Sequence, residues 1–251
     1  YLPFALLGDG VTIDTVLDID KRISVGSEHT CVMIDSDSVK CFGNGSQGRS
    51  GNANQTDYCS NIGTCNNALP ELDLGSGKSI VKLVAGHEHS CAIIAPDNRV
   101  KCWGEGDHGR LGSEDTNDQI VSPDAASFVE LGTGRTVTDI ALGYHHTCAL
   151  LDNNTIKCWG RNHVGQLGQG NNQDQGDQTS EMGNSLAITD MGSVSFPVSI
   201  HSKGYHTCAV FNNGDLKCWG YNANGILGLG DTDNRGDGSS EMANNLAFVD
   251  I

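Results

Sequence analysis

Long apolar runs, aromatic side chains and basic residues are all scarce in this 251-residue chain. No run of about 18 apolar residues exists, so the sequence predicts no membrane insertion. Lys and Arg total 15 against 31 Asp and Glu, and the formal net charge of −16 disfavours nucleic acid and anionic lipid as partners. No P-loop, HExxH motif, dinucleotide fingerprint or nucleophile elbow is present, so we expect neither an enzyme nor a bound cofactor.

Glycine is abundant instead, with 33 residues, and it punctuates a repeated segment that is clearest at residues 143–168. Residues 147–151 and 155–159 are rich in β-branched, aromatic and apolar side chains, and Asp152-Asn153-Asn154 between them is typical of a turn. The segment recurs at residues 26–51, 86–112 and 204–228. The first cysteines of the copies, at positions 31, 91, 148 and 208, give periods of 60, 57 and 60 residues. A period this regular predicts stacked copies of one supersecondary unit.

Each repeat also has a strand before the hairpin and a closing strand after it. The preceding strand is clearest at residues 80–85 and 137–142, and the closing strand occurs five times, first at residues 2–7 and last at residues 246–251. About four short strands per repeat is the size of a propeller blade. The sequence therefore predicts an all-β fold, a β-propeller segment of four blades plus an extra closing strand. We place the repeats at approximately residues 11–74, 75–131, 132–191 and 192–251, within one segment 1–251 in which residues 1–10 close a preceding blade.

Ten cysteines bear on the compartment of the protein. Eight of them form one pair per repeat, and Cys148 faces Cys158 across the hairpin if Leu151 pairs with Thr155 around a three-residue loop. The same rule applies at Cys31 and Cys208, whereas the longer spacing from Cys91 to Cys102 predicts a four-residue loop, residues 95–98, with proline where a type I turn favours it. Asn154 and Gly214 then supply the left-handed third residue that a three-residue loop favours. We predict the disulfides Cys31–Cys41, Cys91–Cys102, Cys148–Cys158 and Cys208–Cys218, with a fifth between Cys59 and Cys65, which flank a short loop. So many disulfides predict a secreted or extracellular chain.

Two other roles for the cysteines stay open. Each repeat has His-x-Cys on one strand and a second cysteine opposite, which offers three soft ligands to a zinc ion. Structural zinc sites prefer four ligands at a C-x2-C-like spacing, so we favour disulfides. Buried, reduced cysteines are the third interpretation, because free cysteine packs readily in cores.

Polar insertions separate each hairpin from its closing strand, and a propeller carries such insertions on one rim, where partners usually bind. They run over residues 52–68, 113–125, 169–185 and 229–245. Asp231, Asp233 and Glu241 are spaced similarly to calcium-loop ligands, but Arg235 occupies a position that needs an oxygen ligand, so we predict no metal site. Arg235-Gly236-Asp237 also spells an integrin-binding tripeptide, which we interpret as a turn.

Three N-glycosylation sequons begin at Asn44, Asn54 and Asn153. Asn54 falls in a polar insertion and Asn153 at a hairpin tip, so both are predicted to be exposed. Asn44 falls in the tight corner after Phe42-Gly43 and is the most crowded of the three. We predict N-linked glycans at Asn54 and Asn153, and less reliably at Asn44, if the chain is secreted from a eukaryotic cell.

A histidine and an aromatic residue recur at fixed positions of every repeat. The histidines are His29, His89, His146 and His206, and the aromatic residues are Phe42, Trp103, Trp159 and Trp219. A catalytic or ligand histidine rarely needs four copies, so we predict a structural role in which the ring hydrogen-bonds a neighbouring loop carbonyl. The aromatic residues are predicted to pack between blades.

The pattern G-x-x-H-[TS]-C-A-L-L…K-C-W-G-x-N-x-x-G-Q-L-G resembles the repeat of the regulator of chromosome condensation family, and all four repeats match it. The resemblance implies a β-propeller, usually of seven blades. Members of the family include a guanine-nucleotide exchange factor for a GTPase, a β-lactamase inhibitor, an ultraviolet-B receptor and parts of ubiquitin ligases, so the fold does not determine the function. The longer period, the paired cysteines and the strong acidity set this chain apart from the nuclear exchange factor.

These observations predict a non-catalytic extracellular propeller with a structural or adhesive role. We expect it to bind a protein partner or to associate with other copies of itself through its ends. A protein-binding or inhibitory propeller that acts through its insertion rim is the alternative, followed by a guanine-nucleotide exchange factor for a small GTPase. Because the closing strand has one copy more than the hairpin, we expect the array to continue into further blades or to complete a neighbouring copy.

Overall fold

A computed structural model describes residues 23–34, 38–60, 69–193 and 195–250. Twelve short strands account for the regular structure of these residues. The strands are β1 (Ile23–Val25), β2 (His29–Met33), β3 (Val39–Gly43), β4 (Ser79–Ala85), β5 (His89–Ala95), β6 (Arg99–Gly104), β7 (Val137–Leu142), β8 (His146–Leu151), β9 (Ile156–Gly160), β10 (Pro197–Lys203), β11 (His206–Phe211) and β12 (Leu216–Gly220).

The strands form four three-stranded antiparallel sheets, one for each repeat. We call them blade 1 (β1–β3), blade 2 (β4–β6), blade 3 (β7–β9) and blade 4 (β10–β12). The predicted all-β fold of propeller-type blades is confirmed. The helices of the described residues are single 3₁₀ turns at Ser46–Gly48, Asp107–Gly109 and Ala243–Asn245, and none is long and apolar enough to cross a membrane.

The blades belong to two compact units. Unit 1 comprises the chain up to Glu105 together with Asp118–Phe128, and it contains blades 1 and 2. Unit 2 comprises Gly106–Asn117 and the chain from Val129 onward, and it contains blades 3 and 4.

The predicted cysteine hairpin is the second and third strand of each blade, and its loop has the predicted length. The N–H of Leu151 donates to the carbonyl oxygen of Thr155 at 2.9 Å, which leaves three loop residues between them. Asn154 (φ +61°) and Gly214 (φ +91°) adopt the left-handed conformation that such a loop requires. The hairpin loop of blade 1, residues 35–37, lies outside the described residues.

The predicted fourth strand is reduced to a single point of contact in the described residues. The closing segments meet the third strand of their own blade at the pairs Leu72–Val39, Phe128–Lys101, Thr189–Ile156 and Val249–Leu216. Each contact is one bridge or one backbone hydrogen bond. Buried lysine side chains of the third strands donate to carbonyl oxygens five or six residues before these contacts, at Pro123, Gly183 and Ala243. The copy predicted at residues 2–7 lies outside the described residues.

Apolar side chains fill the space between successive blades of each unit. In unit 2, Cys148, Leu150 and Ile156 of blade 3 pack against Phe211 and Trp219 of blade 4. In unit 1 the equivalent residues of blade 1 pack against blade 2 in the same way. They are Cys31, Met33 and Val39, which contact Ala92, Ile94 and Trp103. Burial between blades is therefore the main apolar core of each unit.

Candidate functional site

The structure joins the predicted cysteine partners in all four hairpins. The bonds Cys31–Cys41, Cys91–Cys102, Cys148–Cys158 and Cys208–Cys218 have S–S distances between 2.01 and 2.10 Å. Each joins two residues that are direct partners in the strand register. These eight cysteines are therefore bonded to one another instead of serving as zinc ligands or free thiols. Cys59 is also disulfide-bonded, and its predicted partner Cys65 lies outside the described residues.

The repeated histidines connect neighbouring blades through a hydroxyl group, where the sequence predicted a loop carbonyl. Nε2 of His29 lies 2.7 Å from Oγ of Ser90 in blade 2, and Nε2 of His146 lies 2.8 Å from Oγ1 of Thr207 in blade 4. The Ser90 hydroxyl donates its one hydrogen to the carbonyl oxygen of Arg49 at 3.0 Å. Nε2 of His29 must therefore carry the proton that binds Ser90. The predicted structural role is right, but the carbonyl is reached through the hydroxyl.

Burial keeps these histidines neutral. Desolvation, assisted by the charges of Arg49 and His87, lowers the pKa of His29 to about 4. Desolvation, assisted by His206 and His145, lowers the pKa of His146 to about 3. The glycine three residues before the histidine is needed for space, because a β-carbon on Gly143 would overlap the imidazole ring of His146.

The tryptophans pack between blades, as the sequence predicted. In unit 2, Nε1 of Trp159 donates to the carbonyl oxygen of Arg110, and Nε1 of Trp219 donates to that of Gln166, both at 3.0 Å. Both indoles are fully buried. They serve the fold and are not available to stack on a ligand.

Sequence analysis did not single out the lysine that directly precedes the second cysteine of every hairpin. The structure buries all four copies, which are Lys40, Lys101, Lys157 and Lys217. Nζ of Lys217 donates to the carbonyl oxygens of Met191 (2.9 Å) and Ala243 (2.8 Å), and it lies 4.7 Å from the ring centroid of Phe248. Lys101 is bound in the same manner by the carbonyl oxygens of Pro123 and Asp124. Burial lowers the pKa of both ammonium groups. Four copies of Lys-Cys at fixed spacing were the available signal, because a lysine among buried strand residues needs a partner.

The calcium-like loop of blade 4 is filled by its own arginine. The guanidinium of Arg235 contacts the Asp231 carboxylate at 2.5 Å and donates to the carbonyl oxygen of Asp233 at 2.9 Å. Oε2 of Glu241 accepts the backbone N–H groups of Gly236 and Gly238. The carboxylates thus stabilise a turn, in agreement with the interpretation of Arg235-Gly236-Asp237 as a turn.

The three sequons differ in exposure. Asn153 is exposed at its hairpin tip, as predicted, and its Oδ1 accepts the N–H and the hydroxyl hydrogen of Thr155. Asn54 is only half-exposed, because its Nδ2 donates to the Tyr58 hydroxyl at 3.1 Å. Asn44 is half-buried and donates to the Glu28 carboxylate at 2.8 Å. Asn153 is therefore the most accessible acceptor of the three.

A cluster of half-exposed rings lies at the strand ends of unit 2. Tyr205 is its centre, with its ring centroid 5.3 Å from Tyr144, 5.7 Å from His145 and 5.1 Å from His163. His108 extends the cluster, 5.9 Å from His145. We call these five residues the aromatic cluster. They lie in the turns before β8 and β11 and in the corners that follow β6 and β9.

The aromatic cluster is bordered by charge of both signs. Nδ1 of His108 lies 2.8 Å from the Asp174 carboxylate, which holds the ring in place. Partial burial and the positive charge of Arg161 lower the pKa of His163, against the opposing effect of the Asp174 carboxylate. The imidazole of His163 is therefore mainly neutral at neutral pH, and the part of the side chain that is not buried meets solvent.

The equivalent positions in unit 1 are acidic. Glu28 and Glu88 replace His145 and Tyr205 of the later repeats, and the buried Arg49 guanidinium lies 3.0 Å from Glu28 and 3.8 Å from Glu88. Gln47 donates to the Glu105 carboxylate at 3.4 Å. The turns at the strand ends therefore occupy equivalent positions in the repeats, but their side chains are aromatic or imidazole rings in unit 2 and carboxylates in unit 1.

The aromatic cluster is the feature best suited to contact a partner. Half-exposed tyrosine rings offer apolar area and a polar hydroxyl at low entropic cost, which is why they are enriched at protein interfaces. None of the five side chains belongs to the two buried clusters described between blades 1 and 2 and between blades 3 and 4. Sequence analysis missed them because they vary between repeats, and only the fold brings residues 108, 145, 163 and 205 together.

Comparison with known proteins identifies the repeat. The repeat described as "Regulator of chromosome condensation (RCC1) repeat" matches residues 80–110, 137–166 and 198–226, and a second description of it matches residues 97–150. The chain is 32% identical over 214 residues to the ultraviolet-B receptor UVR8 of Arabidopsis thaliana, covering 85% of this chain and 44% of the receptor. It is 31% identical over 167 residues to the E3 ubiquitin-protein ligase HERC2 of Homo sapiens, covering 65% of this chain and 3% of the ligase.

Solved structures show the same fold. Yeast RCC1 (Prp20) bound to Kap60 superposes with a TM-score of 0.67 at 19% identity, covering 92% of this chain and 48% of that one. Human WBSCR16 superposes with a TM-score of 0.63 at 20% identity, covering 84% of this chain and 49% of that one. The chain spans less than half the length of these relatives, so their activities do not transfer to it directly.

Proposed function

We propose that this chain, whose repeats at residues 80–166 and 198–226 match the RCC1 repeat, is a non-catalytic extracellular module that binds a protein partner in a structural or adhesive role. The aromatic cluster of unit 2 carries the proposal, because it is a group of partly exposed rings that lies outside the buried core between blades 3 and 4. The alternative prediction from the sequence, a propeller that binds through its insertion rim, uses a different surface, because the rings of the cluster lie at the strand ends.

The chemistry of the partner follows from charge. A net charge of −16 attracts basic surfaces over distances of a Debye length. Exposed aromatic faces bind guanidinium and ammonium groups by cation–π contact. We therefore propose a partner segment rich in Arg or Lys that lays its cations on Tyr205 and Tyr144.

The extracellular compartment is supported by the cysteines. Four disulfides within hairpins are stable in an oxidising environment and would be reduced in the cytosol. The same argument disfavours guanine-nucleotide exchange on an intracellular GTPase. The exposed sequon at Asn153 is compatible with secretion.

Binding is tested by selecting a phage-displayed peptide library against the purified chain. We expect enriched peptides to be basic and to bind the Tyr205→Ala variant at least about tenfold more weakly, because the variant removes the ring that contacts three others. Phe196→Ala is the matched control, since Phe196 is an aromatic residue of unit 2 that is 45% exposed outside the cluster. Equal affinity of the selected peptides for wild type and Tyr205→Ala would contradict the proposed site.

The compartment is tested by peptide mapping, under non-reducing conditions, of protein from its natural source. We expect linked peptides for the four hairpin cysteine pairs and a glycan on Asn153 more often than on Asn54 or Asn44, because Asn153 is the exposed acceptor. Free thiols at the hairpin cysteines together with three bare asparagines would place the protein in a reducing compartment and refute the extracellular role.

A further inference from the structure

A groove of about 200 Å³ lies beside the hairpin tip of blade 3. Its walls are the hairpin residues 153–156, the closing segment 188–192 and residues 195–197, which lead into blade 4. All of these residues belong to unit 2, and blades 3 and 4 are successive blades. The groove therefore lies within the array and not on a face that a further blade would cover. We call it the tip groove.

Two large apolar side chains of the tip groove are uncovered. Ile188 is 50% exposed and Phe196 is 45% exposed. Ile188 occupies the position that Phe128 has in blade 2, where the guanidinium of Arg99 lies 4.4 Å from the centre of the ring. In blade 3 the equivalent of Arg99 is Thr155, which is too short to cover Ile188 in this way. The apolar part of the groove is therefore open to an occupant.

The wall of the tip groove contains the acceptor of a glycosylation sequon. Asn153 is exposed, and Thr155 is the third residue of its sequon. Oδ1 of Asn153 accepts the hydroxyl hydrogen of Thr155 at 2.7 Å, whereas its Nδ2 has no hydrogen-bond partner among the described residues. At the other two sequons the amide nitrogen donates to a neighbouring side chain. Asn153 is therefore the acceptor whose nitrogen is free to be modified.

We propose that the tip groove holds the first N-acetylglucosamine of a glycan attached to Asn153, with the sugar ring packed against Phe196 and Ile188. The modification joins Nδ2 of Asn153 to C1 of the sugar; Nδ2 loses a proton, and the diphosphate of a lipid-linked sugar donor leaves C1. This inference rests on the proposed extracellular role, because N-linked glycans are added in the secretory pathway. It uses no residue of the aromatic cluster.

The size and the chemistry of the tip groove fit one sugar ring. Its volume is below the roughly 300–1,000 Å³ of pockets that enclose a drug-sized ligand, so it takes a single ring and leaves the rest of a glycan in solvent. One face of a pyranose ring carries C–H groups, which pack on the electron-rich face of an aromatic side chain such as Phe196. Attachment at the groove wall avoids most of the entropy that a free sugar loses on binding.

The test measures how much the sugar on Asn153 raises the thermal midpoint of unfolding. The chain is produced in a eukaryotic secretory host, and its glycans are trimmed with an endoglycosidase that leaves one N-acetylglucosamine on each modified asparagine. Asn153→Gln removes the sugar in wild type and in Phe196→Ala. The loss of the Oδ1 hydrogen bonds is common to both backgrounds and cancels. We expect Asn153→Gln to lower the midpoint by about 2–4 °C more in wild type than in Phe196→Ala.

Val198→Ala is the matched control, since Val198 is 49% exposed, lies two residues from Phe196 and does not line the groove. In this background Asn153→Gln is expected to lower the midpoint as much as in wild type. Proton NMR gives a second readout, because the ring current of Phe196 displaces the resonances of a sugar packed on it. This displacement should be absent in Phe196→Ala.

An Asn153 that stays bare in the secretory host would overturn the proposal. So would an effect of Asn153→Gln that is equal in wild type, Phe196→Ala and Val198→Ala. Failure of the extracellular role has a different signature, namely reduced hairpin cysteines in protein from its natural source. The host-produced chain reports on the groove in either case.

Discussion

Replacing Cys148 and Cys158 together by alanine is expected to lower the free energy of unfolding by at least about 3 kcal/mol. The bond closes a loop of 10 residues, and the chain-entropy model assigns about 2.7 kcal/mol to a constraint of that length in the unfolded state. Both sulfurs are 0% exposed, so their removal also leaves space in the core between blades 3 and 4. Urea unfolding followed by circular dichroism measures the change.

The hairpin of blade 4 provides the matched control. Its bond spans the same sequence separation, but Cys208 is half-exposed. The Cys208→Ala/Cys218→Ala variant should therefore lose the entropic contribution with a smaller packing loss than the blade 3 variant. A blade 3 variant that is as stable as wild type would show that the disulfide does not constrain the unfolded chain.

Acid is expected to destabilise the protein through its neutral, buried histidines. The folded-state pKa values of His29 and His146, about 4 and about 3, lie below the value of about 6.5 that the groups have in the unfolded chain. Between these limits the unfolded state binds more protons, so stability rises with pH and falls as the pH drops below about 6.5. Each histidine contributes a slope of about 1.4 kcal/mol per pH unit, which amounts to about 3 kcal/mol between pH 6.5 and pH 4.

The contribution of His146 is isolated by comparing wild type with His146→Gln in urea titrations from pH 7 to pH 4. The amide retains a donor for Thr207 but does not titrate, so the stability of the variant should depend less steeply on pH. Carboxylates affect both proteins equally and cancel in the difference. Parallel curves for wild type and His146→Gln would show that the buried ring is not the group that titrates.

The local geometry of the hairpins could be predicted from the sequence. The disulfide pairing follows from strand register and loop length, which are settled within about ten residues of chain: Leu151 pairs with Thr155, and Cys148 then faces Cys158. The left-handed residues Asn154 and Gly214 were predictable for the same reason, because loop conformation depends on the loop itself. Packing of the tryptophans followed from their recurrence in the repeats.

Contacts between residues about 60 positions apart were decided by the tertiary structure. The histidine was predicted to reach a loop carbonyl, but its partner is a hydroxyl of the next blade, as in His146 and Thr207. The ammonium group of Lys217 binds carbonyl oxygens 26 positions away, which no local pattern indicates. Asn54 is less exposed than predicted because its side chain binds Tyr58, four positions along the chain, and this local contact was missed.

The aromatic cluster belongs to this second class. Its residues differ between repeats, so the sequence alone marks Tyr205 and His145 only as members of a pattern. Burial is a property of what packs against a residue, and that is determined by the arrangement of whole blades. The sequence by itself determined the hairpins, their disulfides and their number, because register and turn chemistry are local; the tertiary structure decided which of their residues remain available to a partner.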